Sequence, residues 1–129
     1  MESALKITLY LISLVALITG INAVIGGAAS VPGSLGPVEA TVDNELRFFA
    51  VYWVAYGSFC FWVARNMRTQ VSFIPFIALF FFLGGIGRLI SIFAIGSPSA
   101  VLVSAMILEL LLPIAMCFFY VKHKALLKH

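Results

Sequence analysis

The sequence predicts an all-α integral membrane protein, a bundle of four transmembrane helices. Three observations carry this. Sixty-three per cent of the 129 residues are hydrophobic and only 10% are charged, against about a quarter charged in soluble domains. Four apolar runs reach the length of about 20 residues that a bilayer crossing needs. No run alternates with period two, and open sheet edges are excluded from hydrocarbon. A soluble domain of this size needs a charged shell, which this chain cannot supply. The length suits one domain over residues 1–129.

The first predicted helix covers about residues 5–27, "LKITLYLISLVALITGINAVIGG". A cleaved signal peptide would leave three helices, but signal h-regions span about 7–15 residues and this run is longer. Glu2 also weakens a positive start, so the run is read as a retained helix. The second covers about 45–64, "ELRFFAVYWVAYGSFCFWVA", the third about 72–96, and the fourth about 99–121. Residues 28–44, "AASVPGSLGPVEATVDN", carry Pro and Gly and break the helical pattern. "RNMRTQ" is a short polar link, and "GSPS" is a tight turn.

The net charge of +3 lies mostly at the chain ends and in one link, so it bears on orientation and not on nucleic acid. Lys6, Arg65, Arg68, Lys122, Lys124 and Lys128 fall on one side of a four-helix topology, and only Arg47 on the other. The bias predicts both termini inside and the 28–44 loop and "GSPS" turn outside. The expected location is a bacterial inner membrane, with Tyr10, Tyr52, Trp53 and Trp62 as interface anchors. The basic tail, with His123 and His129, suits anionic headgroups.

Charges inside a span are costly and normally face the bundle interior or a water-filled cavity. Arg88 lies eight residues before Gly96, about 12 Å from the outer end at 1.5 Å per residue. Glu109 lies ten residues after Ser99, about 15 Å in. The tight turn makes the third and fourth helices antiparallel neighbours, so an Arg88–Glu109 ion pair is expected. Gly84, Gly87 and Ser91 share the Arg88 face and thin it for close approach. Pro113, one turn after Glu109, frees a helix carbonyl.

At the outer end of the first helix lies Asn22. Asp43 and Asn44 precede the second helix as candidate N-caps, and Glu45 and Arg47 open it. Asn22, Asp43, Asn44, Glu45, Arg47, Arg88 and Glu109 therefore all map to the outer half. The expectation is a polar pocket there, nearly self-neutral, able to hold a small anionic or zwitterionic ligand between Arg47 and Arg88. The plainer alternative is a capped helix start and a structural ion pair. Catalytic residues, a cofactor and a metal set are not expected. Cys60 and Cys117 read as small buried hydrophobes.

"VDNELRFF", then "FLGGIGRLIS…GSPS", then "LELLLP" resemble the bacterial membrane family termed domain of unknown function 4345. The resemblance runs from Thr41 to Pro113. It rests on Asp43, Asn44, Glu45, Leu46, Arg47 and Phe48, on Gly84, Gly85, Gly87 and Arg88, and on Glu109 and Pro113. It implies a short four-spanning protein and transfers no activity. The expected function is binding or transport of a small molecule or membrane lipid, with Glu109 as counter-charge or proton-coupled switch. The alternative is a non-catalytic accessory or assembly subunit of a larger membrane complex. The expected partners are membrane lipid, a small anionic or zwitterionic ligand, and either further copies of the chain or a larger membrane protein. An enzyme acting on a lipid headgroup ranks third.

Overall fold

The structure, a computed structural model, describes residues 1–126. Among them every regular element is helical. The elements are α1 (Glu2–Gly26), a 3₁₀ turn (Gly27–Ser30), α2 (Ala40–Arg65), a short α3 (Met67–Gln70), a second 3₁₀ turn (Val71–Phe73), α4 (Ile74–Ala94) and α5 (Ala100–Leu126). Four helical stretches among the described residues are long and apolar enough to cross a membrane. This marks the chain as a multi-pass membrane protein. Lys128 and His129, counted above in the basic tail, lie outside the described residues.

The helices sit where the apolar runs placed them, but their ends differ. The second helix begins at Ala40 and not near residue 45. The Glu39 carbonyl already accepts the Asp43 N–H at 3.0 Å, so helical bonding is running by then. Pro37 and Gly36, with φ of +91° at Gly36, sit just upstream of it. At the head of α4, Pro75 occupies the first turn, where a missing N–H costs little. The same helix stops at Gly96, whose φ of +123° a side chain would resist. The Gly96 N–H still reaches the Ile92 carbonyl at 3.0 Å. Through Pro113, α5 stays continuous.

The chain forms two compact units. One is Leu9–Arg65, the body of α1 with its 3₁₀ turn and α2. Here two glycines let the helices touch. A Cβ added at Gly20 would stand 2.7 Å from Val54 Cγ2 and 3.2 Å from the Val54 amide nitrogen. One added at Gly57 would stand 2.9 Å from Ala16 Cβ and 3.2 Å from the Leu17 nitrogen. Such close backbone approach is the usual way helices gain van der Waals contact where lipid removes the hydrophobic drive. Trp53 Nε1 donates to Thr19 Oγ1 at 2.8 Å across the same seam. Tyr10 and Phe61 meet edge to face, with ring centres 5.6 Å apart.

The other unit is Met1–Thr8 with the chain from Asn66 onward, and its body is the α4–α5 hairpin. Gly85 is the point of closest approach: its Cβ would stand 2.9 Å from Leu110 Cγ and Cδ2 and 3.1 Å from Glu109 Cβ. Ile74, Ile77 and Ala78 on α4 and Met106 and Met116 on α5 are buried. Phe80, Phe93, Ile107 and Ile114 point outward. Large apolar groups facing out suit a lipid surround and would burden a soluble protein. An open apolar groove of about 520 Å³ runs between Pro75, Leu79 and Phe82 on α4 and Pro113 and Cys117 on α5. The cysteines differ from their common expectation: Cys60 is fully buried, while Cys117 is exposed on this groove.

Candidate functional site

Two polar clusters stand out, one in each unit. The first forms where α1 ends. The last four carbonyls of a helix have no partner within it. Arg47, about two turns inside α2, supplies one: Nη1 donates to the Val24 carbonyl at 2.6 Å and to the Ile25 carbonyl at 2.9 Å. A cation there also suits the negative end of the α1 dipole. Asp43, one turn earlier on α2, holds the Arg47 Nε through Oδ2 at 2.7 Å. Its Oδ1 accepts the Ala28 N–H at 2.7 Å, so a carboxylate anchors the 3₁₀ turn. Gly27 makes room for this. Its φ is +59°, and an added Cβ would collide with Asp43 Oδ1 and stand 2.5 Å from Arg47 Nη2. Ser30 closes the turn, donating to the Gly27 carbonyl at 2.7 Å and more weakly to the Asn22 carbonyl at 3.4 Å.

Asp43 therefore does not act as the cap preceding the second helix. It lies inside the first turn of α2 and binds a backbone N–H of another segment. Asn44 and Glu45 sit beside it on the exposed side, and Asn22 is exposed, its carbonyl taking the long bond from Ser30. Thus Asp43 and Arg47 are brought together here, while Asn44 and Glu45 stand apart from the hydrogen bonds at the α1 end.

The second cluster is the ion pair inside the hairpin. Arg88 Nε donates to Glu109 Oε2 at 2.8 Å. Depth explains the match. Arg88 is six residues inside the α4 end and Glu109 nine residues inside the α5 start, about 9 Å and about 14 Å along antiparallel helices. Burial is unequal: the Glu109 side chain is 7% exposed and that of Arg88 39%. Arg88 spends only its Nε on the pair. Its Nη1 and Nη2 groups make no hydrogen bond among the described residues. Gly84 leaves space beside the pair, where its Cβ would stand 3.7 Å from Glu109 Oε2, and at Gly87 a Cβ would meet nothing within 4 Å.

Chemically the two clusters differ. At Arg47 the guanidinium is committed to Asp43 and to two carbonyls, an arrangement that joins segments. At Arg88 the end-on face of the guanidinium is open, beside a carboxylate that lowers the cost of its charge. Among the described residues no group of three His, Cys, Asp or Glu side chains could hold a metal ion. The sequence reading passed over Gly27, Gly20 and Gly57. The "GG" that ends the first apolar run was the available signal for Gly27, because glycine after a helix end marks a left-handed residue. For Gly20 and Gly57 no signal separates a contact glycine from any other in a span.

No curated protein and no solved structure matches this chain. Residues 4–120 match the family described as Domain of unknown function (DUF4345), and the chain belongs to it.

Proposed function

We propose that this DUF4345 protein binds, or carries across its membrane, a small molecule or lipid at the Arg88–Glu109 pair. The observation behind this is the half-exposed side chain of Arg88, whose Nη1 and Nη2 donors have no hydrogen-bond partner among the described residues. A charge inside a span is expensive, and such residues commonly mark a substrate or ion pathway. A purely structural pair would be expected to use the guanidinium fork fully, as Arg47 nearly does. Glu109 serves as the counter-charge that keeps an arginine tolerable at this depth.

In this reading both termini face the cytoplasm and the pair lies in the outer half of a bacterial inner membrane. The Lys and Arg bias across the links supports that orientation. The test is mass spectrometry of protein purified from its own membrane in mild detergent. The wild type should retain a co-purifying molecule that R88Q/E109Q, a neutral hydrogen-bonded replacement of the pair, has lost. Identical bound species in both would refute the site.

The accessory-subunit reading is favoured by one observation, the open face at Gly87, where a partner helix would meet no side chain. A stoichiometric second polypeptide that leaves the native complex on G87L would support it over ligand binding.

A further inference from the structure

We propose that the group taken by Arg88 is the phosphate of a membrane phospholipid, a singly charged phosphodiester held end-on by Nη1 and Nη2. This rests on the reading that the Arg88–Glu109 pair is a binding site, and it names the ligand class. Four features point the same way. The guanidinium offers two parallel N–H donors from its free end, a fork that matches two oxygens of a phosphate. Nε is already occupied by Glu109 Oε2, so the side-on edge is closed and the end-on edge is what remains. Glu109 balances the arginine, so the pair as a whole is neutral. A monoanion is then the largest charge the site can add at tolerable cost, which disfavours dianionic phosphate esters.

The third feature is depth. The Arg88 side chain is 39% exposed and stands about 9 Å from the end of α4 by helical rise. A headgroup phosphate meets a charge at such a depth through local thinning of the bilayer. The fourth is space. Gly84 and Gly87 are exposed, and an added Cβ at Gly87 meets nothing within 4 Å. A headgroup can therefore lie against the bare helix surface beside Arg88, which a leucine at Gly87 would cover.

The test uses the full chain in a nonionic detergent, with thermal unfolding read at rising concentrations of added compound. Phosphatidylglycerol should raise the melting temperature of the wild type in a saturable way. Diacylglycerol of the same chains, which lacks the phosphate, should not. Millimolar inorganic phosphate should neither raise it nor compete. G87L, which keeps the ion pair and covers the surface beside it, should fold with a basal melting temperature at or above that of the wild type and lose at least tenfold in apparent affinity for phosphatidylglycerol. R88Q/E109Q should lose the saturable shift as well. K122Q/K124Q removes basic groups of the tail, and should keep the shift.

An equal response to diacylglycerol would overturn the phosphate assignment, and competition by inorganic phosphate would overturn the lipid source. A full phosphatidylglycerol shift in both G87L and R88Q/E109Q would move binding away from Arg88. If the native protein carries a co-purified molecule that depends on Arg88 and contains no phosphate, this inference fails while the binding reading stands. If no molecule of any kind depends on Arg88, both fall.

Discussion

Replacing Gly27 by alanine puts a methyl group where the Asp43 carboxylate now sits. The cost has two parts. The backbone part is a non-glycine residue at φ of +59°, about 1–2 kcal/mol. Gly36 supplies its control, because it too has positive φ, +91°, and an added Cβ there meets nothing within 4 Å. The second part is the displaced carboxylate, which accepts from the Ala28 N–H and from Arg47 Nε, each at 2.7 Å. Asp43 is 29% and Arg47 42% exposed, so solvent screens these bonds and their loss adds a smaller amount to the backbone cost. G36A should cost the backbone part of about 1–2 kcal/mol, and G27A more than that. The assay is equilibrium unfolding in mixed micelles, followed by far-UV circular dichroism. A cycle with D43A isolates the second part. Once the carboxylate is gone, G27A should become cheaper and approach the cost of G36A. If G27A matches G36A, or if the cycle is additive within about 0.5 kcal/mol, the carboxylate at the α1 end is not what requires glycine.

The ion pair should respond unequally to its two truncations. R88A strands a carboxylate that is 7% exposed and should cost about 3–5 kcal/mol. E109A leaves an arginine that can turn outward and should cost less, with the double variant below the sum; an E109A that costs more than R88A in the same micelle titration would sink the asymmetry. G85A drives a methyl group against Leu110 at 2.9 Å and should lose about 1–3 kcal/mol. G87A meets open space and should be neutral or gain up to about 1 kcal/mol from helix propensity; equal losses in thermal unfolding would remove Gly85 as the contact point. For orientation, single cysteines in a chain cleared of its own should separate by side. S34C and S97C should label with an impermeant maleimide from outside intact cells, and K124C only after lysis, while labelling of all three from one side would overturn the inside-termini arrangement.

The four long helices were legible because hydropathy over about 20 residues is a bulk property that no tertiary detail overrides. The Arg88–Glu109 pair was legible for a related reason. A turn as short as "GSPS" forces its helices to run antiparallel, so equal distances from it mean equal depths. The start of α2 was not. Asp43 and Asn44 look like caps, and cap residues are the strongest local signal for a helix start. Asp43 instead spends its carboxylate on a distant N–H, and helical bonding begins at Glu39. The partners of Arg47 were hidden as well. They are the carbonyls of Val24 and Ile25, and a backbone carbonyl looks the same at every residue. Seen from the sequence, Arg47 and Arg88 are the same kind of residue, two outer arginines with a carboxylate nearby. The structure separates them by what is left over: Arg47 is engaged with three acceptors, and Arg88 with one.

The clamp at the end of α1 has a consequence for the stretch it brackets. Residues 31–39 begin just after a turn pinned by Asp43 and end just before the helix that carries Asp43. Both ends of the excursion are thus tied to one side chain, and its closure no longer depends on what the intervening residues are. Lengthening such a loop is cheap, about 0.6 kcal/mol for each doubling. This segment is therefore the part of the chain most open to inserted sequence, a place where an epitope or a reporter domain can be grafted while the helices on either side keep their register.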